Sequence, residues 1–337
     1  MSRDCLLAAD VGGTKATLGL GEAGSPRRLL THRVYPSRDH PDLGSIVADF
    51  LQRPEVVAHD PRILAACFSV AGPVAGNSSV LTNLGWKVEA AALERQFALP
   101  AVQLINDFTA AGQGVAQLTE AELETLQAGE PVERGARLII GAGTGLGVGL
   151  LTWEGDRYVA HPSEAGHTDF APVDELQDRL LGSLRRSFGR VSYERIVSGP
   201  GLMRIFSFLQ ETGAEVPSRQ LLDASKTRQD AAELIAEFGA SKHDPLAVRA
   251  LDLFVAVYGA FAGNMALATL ARGGVYISGG IAPKIAPKLK EGIFMRSFLN
   301  KEPFRNLLAT IPVRVVMNPQ VGLYGAMLEA ERARRAR

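Results

Sequence analysis

Residues Leu138–Leu151 read LIIGAGTGLGVGLL. Two apolar runs flank a turn that carries Gly141, Gly143, Gly145 and Gly147, with Thr144 at its centre. Apolar run, glycine-rich turn, apolar run is the pattern of a buried strand, a tight hairpin and a second strand. Glycine leaves the main chain open to close approach by a ligand. Amides converging in such a turn form a concavity that suits phosphate. A plain Gly-rich hairpin would satisfy the same pattern, but an earlier copy shifts the balance. Leu6–Leu20 reads LLAADVGGTKATLGL, again two apolar runs around Gly12, Gly13 and Thr14. The pair predicts a duplicated architecture whose two turns grip one polyphosphate from two sides.

Better-known phosphate loops are excluded by spacing. A Walker A loop needs Gly-Lys followed by Ser or Thr, and the chain contains no Gly-Lys dipeptide. A dinucleotide fingerprint needs glycine at its sixth position, where this stretch has Leu146 or Val148.

At 337 residues the chain is comfortable for two lobes rather than one core. Thirty-six basic residues balance thirty-six acidic ones, so no net charge drives it toward nucleic acid or an anionic membrane. The arginine-rich tail from Glu331 reads as the solvated end of a C-terminal helix. Two cysteines, Cys5 and Cys67, both in apolar runs, cannot build a zinc site or a disulfide framework and fit a reducing cytoplasm. Leu246–Leu270 is long and Ala/Gly-rich, but Asn264 interrupts it, and a buried helix is expected rather than a membrane span.

Several polar residues stand where strands end. Asp10 closes the first apolar run, as a turn cap or as a carboxylate aimed at a metal–phosphate complex. Lys15 is placed to touch phosphate or to point into solvent. Arg62–Val70 is a predicted strand running into Gly72-Pro73. In the stretch LTNLGW, Asn83 and Trp86 either line a polar pocket or serve as a turn residue and a core residue. Ala101–Ile105 is a strand that opens onto Asn106 and Asp107, which face a cleft or cap the following helix. Residues 119–135 are acidic and predicted helical. Glu164 and His167 are three apart, which puts both on one side of a turn. They lack the third partner a zinc site needs and suit a polyhydroxylated ligand, or else form an ordinary loop. Glu194 lies in a helical register that Ser198-Gly-Pro-Gly ends before another helix begins. A short apolar strand delivers Gly279-Gly280 to a helix start.

Together these stretches resemble the bacterial glucokinase family, within the sugar kinase–Hsp70–actin superfamily. The matching motifs are DVGGTK (Asp10–Lys15), INDFTA (Ile105–Ala110), GAGTGLG (Gly141–Gly147), EAGH (Glu164–His167), YERIVSGPGL (Tyr193–Leu202) and SGGI (Ser278–Ile281). They span nearly the whole chain in the family's order. Lys15 and LTNLGW lean toward the repressor–kinase (ROK) branch, whose cysteine-rich zinc motif and DNA-binding domain are not found here.

The resemblance implies an α/β, actin-like (ribonuclease H-like) fold with two lobes and a central cleft. It implies a small lobe of residues 1–112 with 319–337 and a large lobe of 113–318. The implied activity is ATP- and magnesium-dependent phosphorylation of glucose at the 6-hydroxyl, in a cytoplasmic homodimer. Another hexose, or sugar sensing without turnover, are the alternatives. By the same resemblance Asp107 is the general base, and Asn83, Asn106, Glu164, His167 and Glu194 contact the sugar. Asp10, Gly12, Gly13, Thr14, Lys15, Gly143, Thr144 and Gly145 would hold the metal–phosphate group, and Gly279 and Gly280 the adenosine. No residue is expected to bind a metal by itself.

Overall fold

The middle of β1 (Arg3–Val11), Cys5 to Ala9, is apolar without interruption because both of its faces are covered. Cys5, Leu7, Ala9 and Val11 enter one core with Phe50, Phe68 and Leu93. Leu6 and Ala8, pointing the other way, meet Ala65, Cys67, Leu323, Ala326 and Met327. The last three belong to the C-terminal helix Val321–Arg335, which therefore covers one face of the first sheet.

The computed structural model describes residues 2–81, 83–213, 215–228 and 230–336. They fall into two compact units, Met1–Thr119 with Asn318–Arg337, and Glu120–Met317. In the first, β1 pairs antiparallel with β2 (Lys15–Glu22), which pairs antiparallel with β3 (Ser25–Pro36). On its other side β1 runs parallel to β4 (Pro61–Val70). A small antiparallel sheet of β5 (Val74–Ala75), β6 (Ser78–Leu81) and β7 (Trp86–Glu89) follows. β8 (Val102–Asn106) then completes the main sheet in parallel with β4, in the order β3-β2-β1-β4-β8.

The second unit opens with β9 (Leu123–Gln127). β10 (Arg137–Ala142), β11 (Leu146–Glu154) and β12 (Arg157–Ser163) form an antiparallel meander. β13 (Gly274–Ser278) runs parallel to β10, and β14 (Val313–Val316) parallel to β13. The order β12-β11-β10-β13-β14 repeats that of the first sheet, pairing sense included, with β9 added antiparallel at the edge. The two glycine hairpins thus occupy equivalent places in duplicated sheets.

Local chemistry explains the helices that matter to the site. The helix Asp107–Val115 starts where the Asn106 side chain accepts the Phe108 and Thr109 amides, a conventional N-cap. Gly114 and Gly325 let this helix and Val321–Arg335 approach backbone to backbone. A Cβ on Gly325 would overlap the Ala110 carbonyl, and one on Gly114 the Val321 carbonyl. Pro245–Thr269 is long and apolar enough to cross a membrane, yet 78% of its apolar window is buried in protein. Its Asn264 donates to the buried Tyr193 hydroxyl at 2.9 Å, which accounts for a polar residue there.

Three expectations are corrected. Residues 119–135 hold no α-helix: β9 is a strand, because an unpaired edge of β14 takes it as a partner. Within it the Gln127 amide donates to the Leu308 and Ile311 carbonyls at 2.9 and 2.7 Å. Glu331 is not solvated; it is 2% exposed, pairs with Arg334 and Arg335, and accepts the Gly24 amide at 3.2 Å. Tyr193–Arg195 is one 3-10 turn rather than a longer helix, while the helix expected after it does begin at Gly199–Glu211, with Ser198 as its cap.

Candidate active site

In the first unit the parallel strands β1, β4 and β8 end together. Asp10 lies beside Ser69 in the β1–β4 register, and Val70 lies beside Asn106 in the β4–β8 register. Carboxyl ends of parallel strands are where α/β sheets bind ligands. Ser69 donates to Asp10 Oδ1 at 3.0 Å. The other side of the Asp10 carboxylate lies against Gly322, in the first turn of the C-terminal helix, where a Cβ would overlap it. Burial raises the Asp10 pKa above its ordinary value, opposed by the Ser69 hydrogen bond and the Lys15 charge.

Asn106 is committed at both ends, capping its helix and donating to the Gly72 carbonyl at 3.1 Å. Of the two readings open for it, the cap is therefore realised, and the same bonds hold its amide at the strand ends. Asp107 follows at the first helical position, with Oδ1 accepting the Phe108 amide at 3.0 Å. Burial, and then the Asp10 charge, push Asp107 from 3.8 to about 7, against hydrogen bonds from nearby amides. A carboxylate with that pKa is half ionised near neutrality and suits proton acceptance.

The β1–β2 turn is tightened by the Gly12 amide, which donates to the Lys15 carbonyl at 2.9 Å. Ser37 braces it from outside, its hydroxyl donating to the Gly12 carbonyl at 2.9 Å. Thr14 and Lys15 are exposed at the tip. Exposed Asn83 packs beside Gly13, so it borders the phosphate-type turn, whereas Trp86 is core. Thr82 of that stretch lies outside the described residues.

The second unit gathers its own set. The turn Gly143-Thr144-Gly145 is closed by the Gly143 amide donating to the Gly145 carbonyl at 2.9 Å, with Thr144 exposed. Glu194 reaches into this turn: Oε2 accepts the Leu146 amide at 3.1 Å, and a Cβ on Gly145 would come within 2.6 Å of it. The Gly199 amide, at the start of its helix, donates to the Gly143 carbonyl at 2.8 Å. His167 stands between two carboxylates, Nδ1 at 3.8 Å from Glu194 and Nε2 at 3.9 Å from Glu164. Those distances exceed hydrogen bonds, so the three side chains face one another without bonding. Gly279, at φ +84°, lies against the end of β10 at Ala142, and Gly280 borders open space. The helix after them starts only at Ala286, beyond a run of turns.

The predicted residues therefore fall into two local sets, Asp10, Gly12, Gly13, Asn83, Asn106 and Asp107 in one unit and Gly143–Gly145, Glu164, His167 and Glu194 in the other. Ser69, Ser37 and Gly322 were not singled out from sequence. Ser69 has a signal, a hydroxyl inside the apolar run RILAACFSV, and Gly322 has one as the glycine that opens the final helix, GLYGA; Ser37 has none. Among the described residues no three His, Cys, Asp or Glu side chains cluster to hold a metal. A divalent cation here would need phosphate oxygens as further ligands, as magnesium commonly does.

The glucokinase family model matches residues 7–333. A glucokinase of Trichormus variabilis is 41% identical over 341 residues, covering 97% of this chain and 99% of that protein. A solved glucokinase from an Antarctic psychrotroph superposes with a TM-score of 0.82 at 28% identity, over 98% of this chain and 99% of that one. A ROK-family glucokinase of Streptomyces griseus, solved with glucose and AMPPNP, has a TM-score of 0.66 at 20% identity, over 97% and 99%. The duplicated sheets and these likenesses make the fold actin-like α/β.

Proposed function

This chain belongs to the glucokinase family, and from that premise we propose that it transfers the γ-phosphoryl group of ATP to the 6-hydroxyl of glucose, with Asp107 accepting the hydroxyl proton. The observation that carries the role of Asp107 is its carboxylate at the helix start directly after β8, where burial and then the Asp10 charge raise its pKa to about 7.

Phosphoryl transfer asks a protein mainly for positioning and charge stabilisation. Asn106, Glu164, His167 and Glu194 are assigned to sugar hydroxyls. Carboxylates accept and histidine can do either, which matches hydroxyls that both donate and accept. Asn83 borders the Gly13 turn and is assigned to the sugar edge nearest the phosphate. The turns Gly12-Gly13-Thr14 and Gly143-Thr144-Gly145, with Lys15, present amides and charge to the nucleotide phosphates, and Gly279 and Gly280 leave room for the adenosine. Asp10 suits a magnesium ion shared with phosphate oxygens, which would neutralise charge on the transferring group. The enzyme acts in the cytoplasm as a homodimer, a reading that rests on the family resemblance and, for the compartment, on two buried free thiols.

The test is ADP release from MgATP with and without a panel of hexoses, with glucose 6-phosphate measured directly. Glucose-dependent release is expected, falling about 10²–10⁴-fold in Asp107→Ala while calorimetry shows glucose still bound. Preference for mannose, fructose or an amino sugar would move the chain to another hexose kinase. Sugar binding with no turnover on any sugar would make it a sensor.

A further inference from the structure

We propose that Arg190 is a positioning residue for the sugar site, clamping the loop that carries His167 onto the segment that carries Glu194. The proposal rests on the sugar-binding role given to those two residues. Around them the chain forms a miniature antiparallel ladder. Asp169 bridges Ser192, the Phe170 amide donates to the Val191 carbonyl at 3.0 Å, and the Tyr193 amide donates to the Thr168 carbonyl at 3.0 Å. Continuing that register one step past the ladder sets His167 opposite Glu194. Their side chains do face each other, at 3.8 Å. The pair is thus aligned by backbone pairing between two segments distant in sequence.

The inner face of the ladder is anchored. Phe170 and Tyr193 pack edge to face at 5.6 Å, both buried, and Asn264 holds the Tyr193 hydroxyl. On the outer face Arg190 spans the two segments. Its Nη2 donates to the His167 carbonyl at 2.6 Å and its Nε pairs with Asp169 Oδ1 at 2.6 Å. The ion pair is exposed, 63% for Arg190 and 75% for Asp169, and such pairs contribute little by themselves. The charge-assisted bond to a carbonyl is stronger, and it lands on the residue whose ring must be aimed. The EAGH turn, Ala165–His167, is one 3-10 turn with its own closing bond from the His167 amide to the Glu164 carbonyl. Without Arg190, the exit from that turn loses its outer tie while the Gly143–Gly145 turn keeps every bond described for it. The sugar side should suffer and the nucleotide side should not.

Arg190→Ala is expected to raise the glucose KM about tenfold, with kcat and the ATP KM changed less than about twofold. Arg190→Lys, which keeps the charge but lacks the fork that reaches both partners, should recover part of the loss. In a His167→Ala background, Arg190→Ala should add less than about a further twofold, because the clamp acts through His167. A glucose KM unchanged in Arg190→Ala, or raised equally with and without His167, overturns the proposal. Should Arg190→Ala fail to fold, Arg190→Met takes its place, keeping the apolar stem but neither bond, with the same expected rise in glucose KM and an unchanged ATP KM; no increase there is equally decisive against the clamp. Absence of glucose-dependent ADP release in the unaltered protein would instead overturn the kinase reading.

Discussion

Asp107 shows how little of a residue's chemistry its identity decides. An Asp after a strand is an ordinary cap, and its neighbour Asn106 does serve as one. Burial and the nearby Asp10 then lift Asp107 to about 7. The catalytic argument needs only hydrogen-bond reach, but the raised pKa makes two measurable consequences. First, kcat/KM should climb with pH as Asp107 loses its proton through about 7 and then level off, a limb absent in Asp107→Asn. Second, a carboxyl whose folded pKa exceeds its ordinary 3.8 disfavours the folded state increasingly as pH rises from about 4 to about 7. Asp107→Asn should therefore be more stable than the unaltered protein at pH 8, by at most about 4 kcal/mol, with the gain vanishing near pH 4. Thermal melts at the two pH values check this. A gain over the unaltered protein no larger at pH 8 than at pH 4 would show that the carboxylate is well solvated.

At the scale of elements, hairpins were legible and partner-dependent pieces were not. The two glycine turns announce themselves because a buried strand, a tight reversal and a second buried strand each leave a local mark. β9 leaves none: LETLQ alternates no better than a surface helix would, and only the open edge of β14 makes it a strand. Glu331 misleads in the same way. It sits among arginines in a terminal helix, yet the β2–β3 turn at Gly24 closes over it. Hydrogen bonds from Arg334 lead in lowering its pKa from 4.5 to about 2, despite burial. Because the folded value lies below the ordinary one, its stabilisation is present above about pH 4.5 and fades as pH falls toward 2. Glu331→Gln should cost about 1–3 kcal/mol at pH 7, and denaturant melts should find the difference shrinking below pH 4.

At the scale of the molecule, one sheet topology occurs twice, and each copy brings polar residues to its own turn and strand ends. A ligand that binds only the folded chain adds stability by mass action. Glucose at about 100 times its Kd should add about 2.7 kcal/mol, visible as a rise in Tm. Asp107→Ala should keep most of that rise, while His167→Ala should lose much of it; equal rises in both variants would remove His167 from the sugar site.

By itself the sequence determined the family and the duplicated hairpins, because motifs and apolar periodicity are local properties. It also determined that Cys5 and Cys67 would be buried and that Asn264 would sit in a core helix. Only the tertiary structure decided that Glu194 ties to the Leu146 amide, that Ser69 and Gly322 flank Asp10, and that Asp107 is raised. Those are relations between segments far apart in the chain, and burial and proximity exist only once the strands have paired.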